Sequence, residues 1–384
     1  MKVAVVILNW NGKNFLEKFL PSLFNSLPEY ADLIIADNAS TDGSKDTFNN
    51  LKAKLENQPK KLLLKWIQLQ ENYGFTGGYN RAFSIIRKQA QSSQDNSRPS
   101  LNPYRYYILI NSDIYTPDGW LEPLISFMEE HPETAACQPK ILSYNHYVEG
   151  TEQFEYAGAA GGFIDKWGFP FCRGRILSCI EEDKQQYDNS IRCFWASGAC
   201  MVVRSNVWHQ LGGLDEHFFA HMEEIDFCWR ASLLGFQIWC IPASKVYHVG
   251  GGTLPNNSPR KLYLNYRNNL LMLWKNLPKK RKSAKIFIRK CLDGISAVCY
   301  IFHGKFSYFK SVVKAHHDYS KLKKEIIVTL PINKTQKGKP ATVSSDNSAQ
   351  AQSYNNKKEA LPYGMLPYSI IRKFFTGKKK YSQL

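Results

Sequence analysis

No stretch of the 384-residue chain supplies the roughly 20 consecutive apolar residues that a membrane-spanning helix needs. The best candidate, 286–302, is interrupted by Arg289, Lys290 and Asp293, leaving only 294–302 uncharged. No CxxC pair occurs among the nine cysteines, which are odd in number and scattered from position 137 to position 299. The N-terminus shows no signal-peptide pattern and runs directly into a strand-like stretch at 3–8. These absences argue against a disulfide framework and predict reduced thiols in a cytoplasmic protein. No internal period is present either, so the length fits one large domain with appendages, or two domains. With 43% hydrophobic and 14% aromatic residues, a largely disordered or collagen-like chain is excluded.

Charge is distributed unevenly. Residues 1–258 carry 23 Lys and Arg against 28 Asp and Glu, whereas residues 259–384 carry 27 against 5. The basicity therefore belongs to the C-terminal third, which predicts an anionic partner for that segment alone, either a nucleic acid or an acidic membrane surface.

Short apolar, β-branched runs at 3–8, 33–36, 62–69 and 106–110 read as strands, with helical patterns near 15–26, 44–55, 78–89 and 120–130 between them. This alternation predicts an α/β fold with a parallel sheet built from βαβ units. Polar clusters follow the strands at 9–12, 37–43 and 111–113, the strand ends where open α/β sheets bind ligands. A polar surface loop is expected at 91–103 and a small irregular or antiparallel insertion at 144–192. Helices are expected over 205–211 and 223–234, followed by a strand at 236–241. The segment 259–282, with Leu262, Tyr266, Leu270, Leu273 and Trp274 among its apolar positions and KKRK at its end, reads as a basic amphipathic helix. The predicted organisation is a catalytic domain at 1–258, a basic membrane-associating helical region at 259–332, a disordered linker at 333–358 and a short aromatic-basic tail at 359–384.

Two groups of residues carry chemistry. Asp113 closes the fourth strand beside Asn111, where hard oxygen ligands suit Mg²⁺ or Mn²⁺ held against phosphates; a turn-forming Asp is the plainer alternative. Glu223, Glu224 and Asp226 crowd the start of a helix, either to complement its dipole or to supply a general base. His248 ends a strand-like stretch beside glycines, as a metal ligand or as a structural histidine. The glycines in NYGFTGGYN at 72–80 open a helix and would let phosphate or sugar approach backbone N–H groups.

In this order, VVILNWNG (5–12), DNASTDGS (37–44), NYGFTGGYN (72–80), NSD (111–113) and the paired block SGACMVVR (197–204) with EEIDFCWR (223–230) resemble the family 2 glycosyltransferases, especially their rhamnosyltransferase-like bacterial branch. The resemblance runs from residue 2 to about residue 252. It implies a GT-A fold, an α/β architecture with a mostly parallel central sheet, here followed by a basic helical extension. It implies that Asn9 and Asp37 line the nucleotide's base and ribose, with Asn11 also on the donor side. The run from Asn72 through Gly77 and Gly78 to Asn80 would lie along the nucleotide and diphosphate. Asn111 would sit at the first acid position of the family's DxD motif, and Asp113 would bind a divalent metal, Mg²⁺ or Mn²⁺, with His248 as a second ligand. Gly198 and Ala199 would shape the donor-sugar pocket. Glu224 would be the catalytic base, although a Glu in place of the family's Asp leaves open whether Glu223 or Glu224 faces the acceptor.

The implied reaction is an inverting, single-displacement transfer from a nucleotide sugar to a glycan or lipid-linked acceptor in cell-surface polysaccharide synthesis. It needs no covalent intermediate, which suits a chain with no obvious Ser–His or Cys–His nucleophile pair. The expected setting is the cytoplasmic, inner face of an anionic cell membrane, with no nucleic-acid partner. A sugar-1-phosphate nucleotidylyltransferase is a poor alternative, because residues 7–16 lack a Gly-rich loop with Arg and Lys. Nucleic-acid binding through the basic third is the rival from a different class, and the acidic first two-thirds would oppose it.

Overall fold

A computed structural model describes residues 2–92, 102–250, 258–326 and 362–384. Most of the loop expected at 91–103, and the whole linker expected at 333–358, lie outside the described residues. The first half alternates as predicted: β1 (Lys2–Asn9), α1 (Lys13–Ser26), β2 (Ala31–Asp37), α2 (Ser44–Leu55), β3 (Leu64–Gln68), α3 (Gly74–Ser92) and β4 (Tyr104–Ile110). After β4 come β5 (Ile114–Tyr115), α4 (Glu122–Glu130), β6 (Thr134–Ser143) and α5 (Tyr144–Val148).

The central nine-stranded sheet is parallel along β3, β2, β1 and β4. Next to β4 lies antiparallel β12 (Cys200–Arg204), then β6, and then β13 (Gln237–His248), parallel to β6. Short β5 and β11 (Ile191–Cys193) run antiparallel on β13. Its strands are apolar on both faces because both are covered. Along β1, Ala4 and Val6 enter one core cluster while Val3, Val5 and Ile7 enter the other.

The stretch expected to be an irregular or antiparallel insertion forms a four-stranded antiparallel sheet of β7 (Gly162–Ile164), β8 (Pro170–Cys172), β9 (Arg175–Ile176) and β10 (Cys179–Ile180). Helices α6 (Ser205–Gln210) and α7 (Glu223–Leu233) follow β12. None of the nine cysteines is paired with another.

The C-terminal third departs from expectation. The single helix expected over 259–282 is two, α8 (Pro259–Asn276) and α9 (Lys279–Phe302), separated by Leu277 and Pro278. A third, α10 (Phe306–Leu322), packs on both. The apolar residues of α8 do not face outward: Leu270 and Leu273 are fully buried and belong to the core cluster that also holds Phe218 and Phe227. Residue 258 is thus no boundary between separate units, since α8 completes the interior of the preceding domain. The tail also returns to the body. Leu366 donates its N–H to the Ile164 carbonyl at 2.8 Å, and Ile370, opening α11 (Ile370–Phe375), is completely buried.

Candidate active site

A cavity of about 440 Å³ opens at the C-terminal ends of β1 and β4, walled by the start of α7 and the end of β13. Eight of the residues singled out from the sequence line it: Asn72, Asn111, Asp113, Gly198, Ala199, Glu223, Glu224 and His248. Strand pairing explains much of this convergence. β13 runs on beyond the expected 236–241 and pairs His248 with Ile114, which delivers the imidazole beside Asp113.

Asp113 Oδ1 and His248 Nε2 are 3.1 Å apart, and the Asn111 amide nitrogen is 3.2 Å from the same ring atom. On the opposite side of the ring, Glu155 Oε2 lies 3.4 Å from Nδ1, an ion-pair distance without hydrogen-bond alignment. Burial pushes the Asp113 carboxyl up, but the His248 charge and backbone N–H groups outweigh it and hold it below the ordinary range. Burial likewise opposes the charged His248 ring, yet Asp113 and Glu155 together raise it to about 10. Among the described residues, no three His, Cys, Asp or Glu side chains converge closely enough to cage a metal ion. One carboxylate, one imidazole that must release its proton to bind, and a neighbouring amide are instead the sparse donor set of a cation that completes its shell with substrate phosphates and water.

Across the cavity, Glu223 and Glu224 open α7 with an unpartnered Oε2 on each. Burial lifts the Glu224 carboxyl to about 7. Burial, and then the charge of Glu224, push Glu223 well above the carboxylate range. Asp226 belongs elsewhere: it is fully buried and paired with Arg230 at 2.7 Å and Lys275 at 3.0 Å, so it fastens α7 to α8. The chain enters α7 through Phe219, His221 and Met222, all at positive φ without being glycine. Such backbone persists only where its surroundings hold it. Here α8 does so, because the buried Asn268 amide donates to the carbonyls of Phe218, Ala220 and His221, each at 2.8 Å. Gly198 keeps the floor open, since a Cβ there would approach Phe75 to 3.0 Å and the Glu224 Cβ to 3.8 Å.

The remaining predicted residues do not line the cavity. Asn9 and Asp37 are buried beneath it, joined by an Nδ2 to Oδ1 bond of 2.8 Å, and Asp37 also accepts from Ser40 and Gln68. Asn11 caps the neighbouring turn by accepting from the Thr41 N–H at 2.8 Å. Gly77 and Gly78 lie within α3, where a Cβ on Gly78 would meet Leu8 at 2.6 Å, so the glycine permits close packing of helix on strand. Asn80 ties α3 to Leu214 by two bonds, of 2.8 and 2.9 Å. Conversely, the cavity is also lined by Trp10, Glu155, Tyr156, Arg260 and Lys261, none of them expected. For Trp10 a signal existed, an aromatic between two asparagines at a strand end. For Glu155, in an aperiodic stretch, there was none.

The sequence profile described as Glycosyl transferase family 2 matches residues 4–185. The chain is 25% identical over 246 residues to the N-acetylglucosaminyl-diphospho-decaprenol L-rhamnosyltransferase of Mycobacterium tuberculosis, covering 64% of this chain and 75% of that one. To the rhamnosyltransferase WbbL of Escherichia coli it is 22% identical, over 64% of this chain and 83% of the other. The crystal structure of GalNAc-T7 with UDP, GalNAc and Mn²⁺ superposes with a TM-score of 0.54 at 15% identity, over 85% of this chain and 56% of that one. The fold is thus that of the GT-A glycosyltransferases. With its strand-end cavity and the motifs of its first 252 residues, the chain carries a glycosyl transferase family 2 domain over residues 4–185 and is similar to relatives that include the rhamnosyltransferases.

Proposed function

We propose that this glycosyltransferase moves a sugar, with inversion, from a nucleotide-diphosphate sugar to a hydroxyl of a glycan or lipid-linked acceptor in polysaccharide synthesis. The observation that carries the reading is the opposition, across one cavity, of an ionised Asp113 paired with His248 and a Glu224 poised near neutrality with a free oxygen. The donor lies between Asn72, Asn111 and the floor at Gly198 and Ala199, with Arg260 and Lys261 contributing positive charge to the wall. Asn9, Asn11 and Asp37 act as positioning residues that shape the strand-end loops, and Gly77, Gly78 and Asn80 seat α3. Asp113 and His248, beside the Asn111 amide, would hold a divalent cation, Mg²⁺ or Mn²⁺, which when bound supplies charge neutralisation at the donor's phosphates.

Glu224 takes the proton of the acceptor hydroxyl as that oxygen attacks the anomeric carbon from the face opposite the diphosphate. The new carbon–oxygen bond forms as the bond to phosphate breaks, and the electron pair leaves with the nucleoside diphosphate. Glu223 stays protonated and keeps a second negative charge away from its neighbour. The name of the mycobacterial relative specifies a lipid-diphosphate acceptor, which supports a lipid-linked acceptor here. We place the enzyme peripherally on the cytoplasmic face of an anionic membrane, supported by the basic C-terminal third and by the lack, among the described residues, of a helix long and apolar enough to cross one. The relatives lend the nucleic-acid alternative no support.

A panel of nucleotide sugars with Mn²⁺, read by thermal shift and by donor hydrolysis, tests the reading. Stabilisation and hydrolysis by one nucleotide sugar is expected. No response to any donor, together with salt-sensitive retention on a polyanion column, would favour the rival.

A further inference from the structure

The helix expected to meet lipid, α8, is interior, yet the next helix presents an apolar face to solvent. On α9, Phe287, Ile295, Val298 and Phe302 recur at helical spacing on one side and are 68%, 62%, 49% and 84% exposed. Phe306, at the corner into α10, continues the patch at 60%. Half of the large hydrophobic side chains exposed in the described structure fall between 287 and 313. Scattered exposed apolar residues need no explanation, whereas a contiguous row marks a surface built for contact.

The opposite side of α9 is fully occupied. Ile286 and Ala297 are buried, and Arg289 stacks 3.6 Å from the centre of the Phe169 ring while bonding Asp293 at 2.8 Å. His316 reaches the other oxygen of Asp293 at 3.2 Å. The only acid of α9 is therefore turned inward and neutralised. Exposed cations flank the outer row at both ends, Lys279 and Arg281 before it and Lys305 and Lys310 after it.

We propose that the outer face of α9 is a lipid-docking surface that seats the enzyme on an anionic bilayer. This deepens the functional reading above and rests on its lipid-linked acceptor. Charge selects the occupant. An apolar row with cations at both ends and no exposed acid on the helix is complementary to acyl chains beneath anionic headgroups. A second copy of the same face fits poorly, because either orientation of two such helices sets cations against cations.

The test is cosedimentation of the full chain with phosphatidylcholine vesicles, with and without about one-third phosphatidylglycerol. Binding is expected only with the anionic lipid and should fall with salt. The double variant Ile295→Ser/Phe302→Ser should lower partitioning about tenfold or more. Lys279→Gln/Arg281→Gln should lower it about tenfold. Melting temperature and donor hydrolysis in solution should stay unchanged in both. Equal binding of variants and parent, or equal binding to neutral and anionic vesicles, would overturn the proposal. So would absence of vesicle binding with a dimer that the Ile295/Phe302 variant dissociates, which assigns the face to a second copy. Donor hydrolysis by the parent reports on the transferase reading separately, since it needs no vesicle.

Discussion

His248 Nε2 lies 3.1 Å from Asp113 Oδ1, joining two strand ends 135 residues apart in sequence. Asp113→Ala should abolish transfer and, more diagnostically, remove the additional stabilisation that Mn²⁺ gives in the presence of a nucleoside diphosphate. Differential scanning fluorimetry with and without Mn²⁺ checks this. A variant that keeps the full metal-dependent shift would remove Asp113 from the site.

Glu224→Gln should leave donor binding nearly intact while lowering turnover about 10²–10⁴-fold, the range for loss of a positioned base. Glu223→Gln, which replaces a carboxyl already protonated, should have a small effect. Reversal of the two in steady-state kinetics would reverse their roles.

The same pair sets opposite pH trends for rate and stability. Because the base must be ionised, kcat/KM should climb about tenfold per pH unit below about 7 and level off above it. Stability should run the other way. The folded state holds the proton that the unfolded chain releases, so stability is full below the ordinary carboxylate pKa of about 4.5, declines as pH rises, and flattens above about 7. Glu224→Gln should therefore be more stable to unfolding than the parent at pH 8, by on the order of 1–3 kcal/mol, with little difference at pH 4.

Asn268→Ala would take a donor from three carbonyls of the 218–221 turn, of which that of Phe218 keeps Arg267 and the Ala220 N–H. A loss of roughly 2–4 kcal/mol in denaturant unfolding is expected. Turnover should drop further than donor affinity, because the turn aims Glu223 and Glu224 rather than binding the nucleotide. Unchanged unfolding would show that the turn holds itself.

Gly198→Ala should raise the KM for donor, since Phe75 must yield a few tenths of an ångström in the pocket floor, while shifting the melting temperature little. Equal donor KM in the variant and the parent would place the sugar elsewhere in the cavity.

The parallel strands were legible because β1, β2 and β4 are apolar on both faces, a pattern few other structures satisfy. Asp113, Glu223 and Glu224 of the cavity were legible by type and position. Among the acids of 223–226, however, sequence does not separate Asp226, tied to Lys275, from Glu224, which faces the cavity. Asp37 carries ligand-like chemistry but directs it inward, to Asn9, Ser40 and Gln68. Helix α8 misled for a physical reason: periodicity reports that a face is buried, not whether protein or lipid buries it. Asn268 and Asn269 of that helix face inward as well, donating to the carbonyls of Phe218 and Gly168. Glu155 gave no sign at all, because its meaning comes entirely from His248, 93 positions away.

The ionic knot of Asp215, Asp226 and Lys275 makes α8 inseparable from the turn that carries the acids. Exchange of acceptor preference between relatives by grafting at residue 258 would cut through that knot and yield poorly folded chimaeras. A graft point after Asn276 would carry α8 along with its turn, so the unit of recombination in this enzyme is longer than its recognisable motifs.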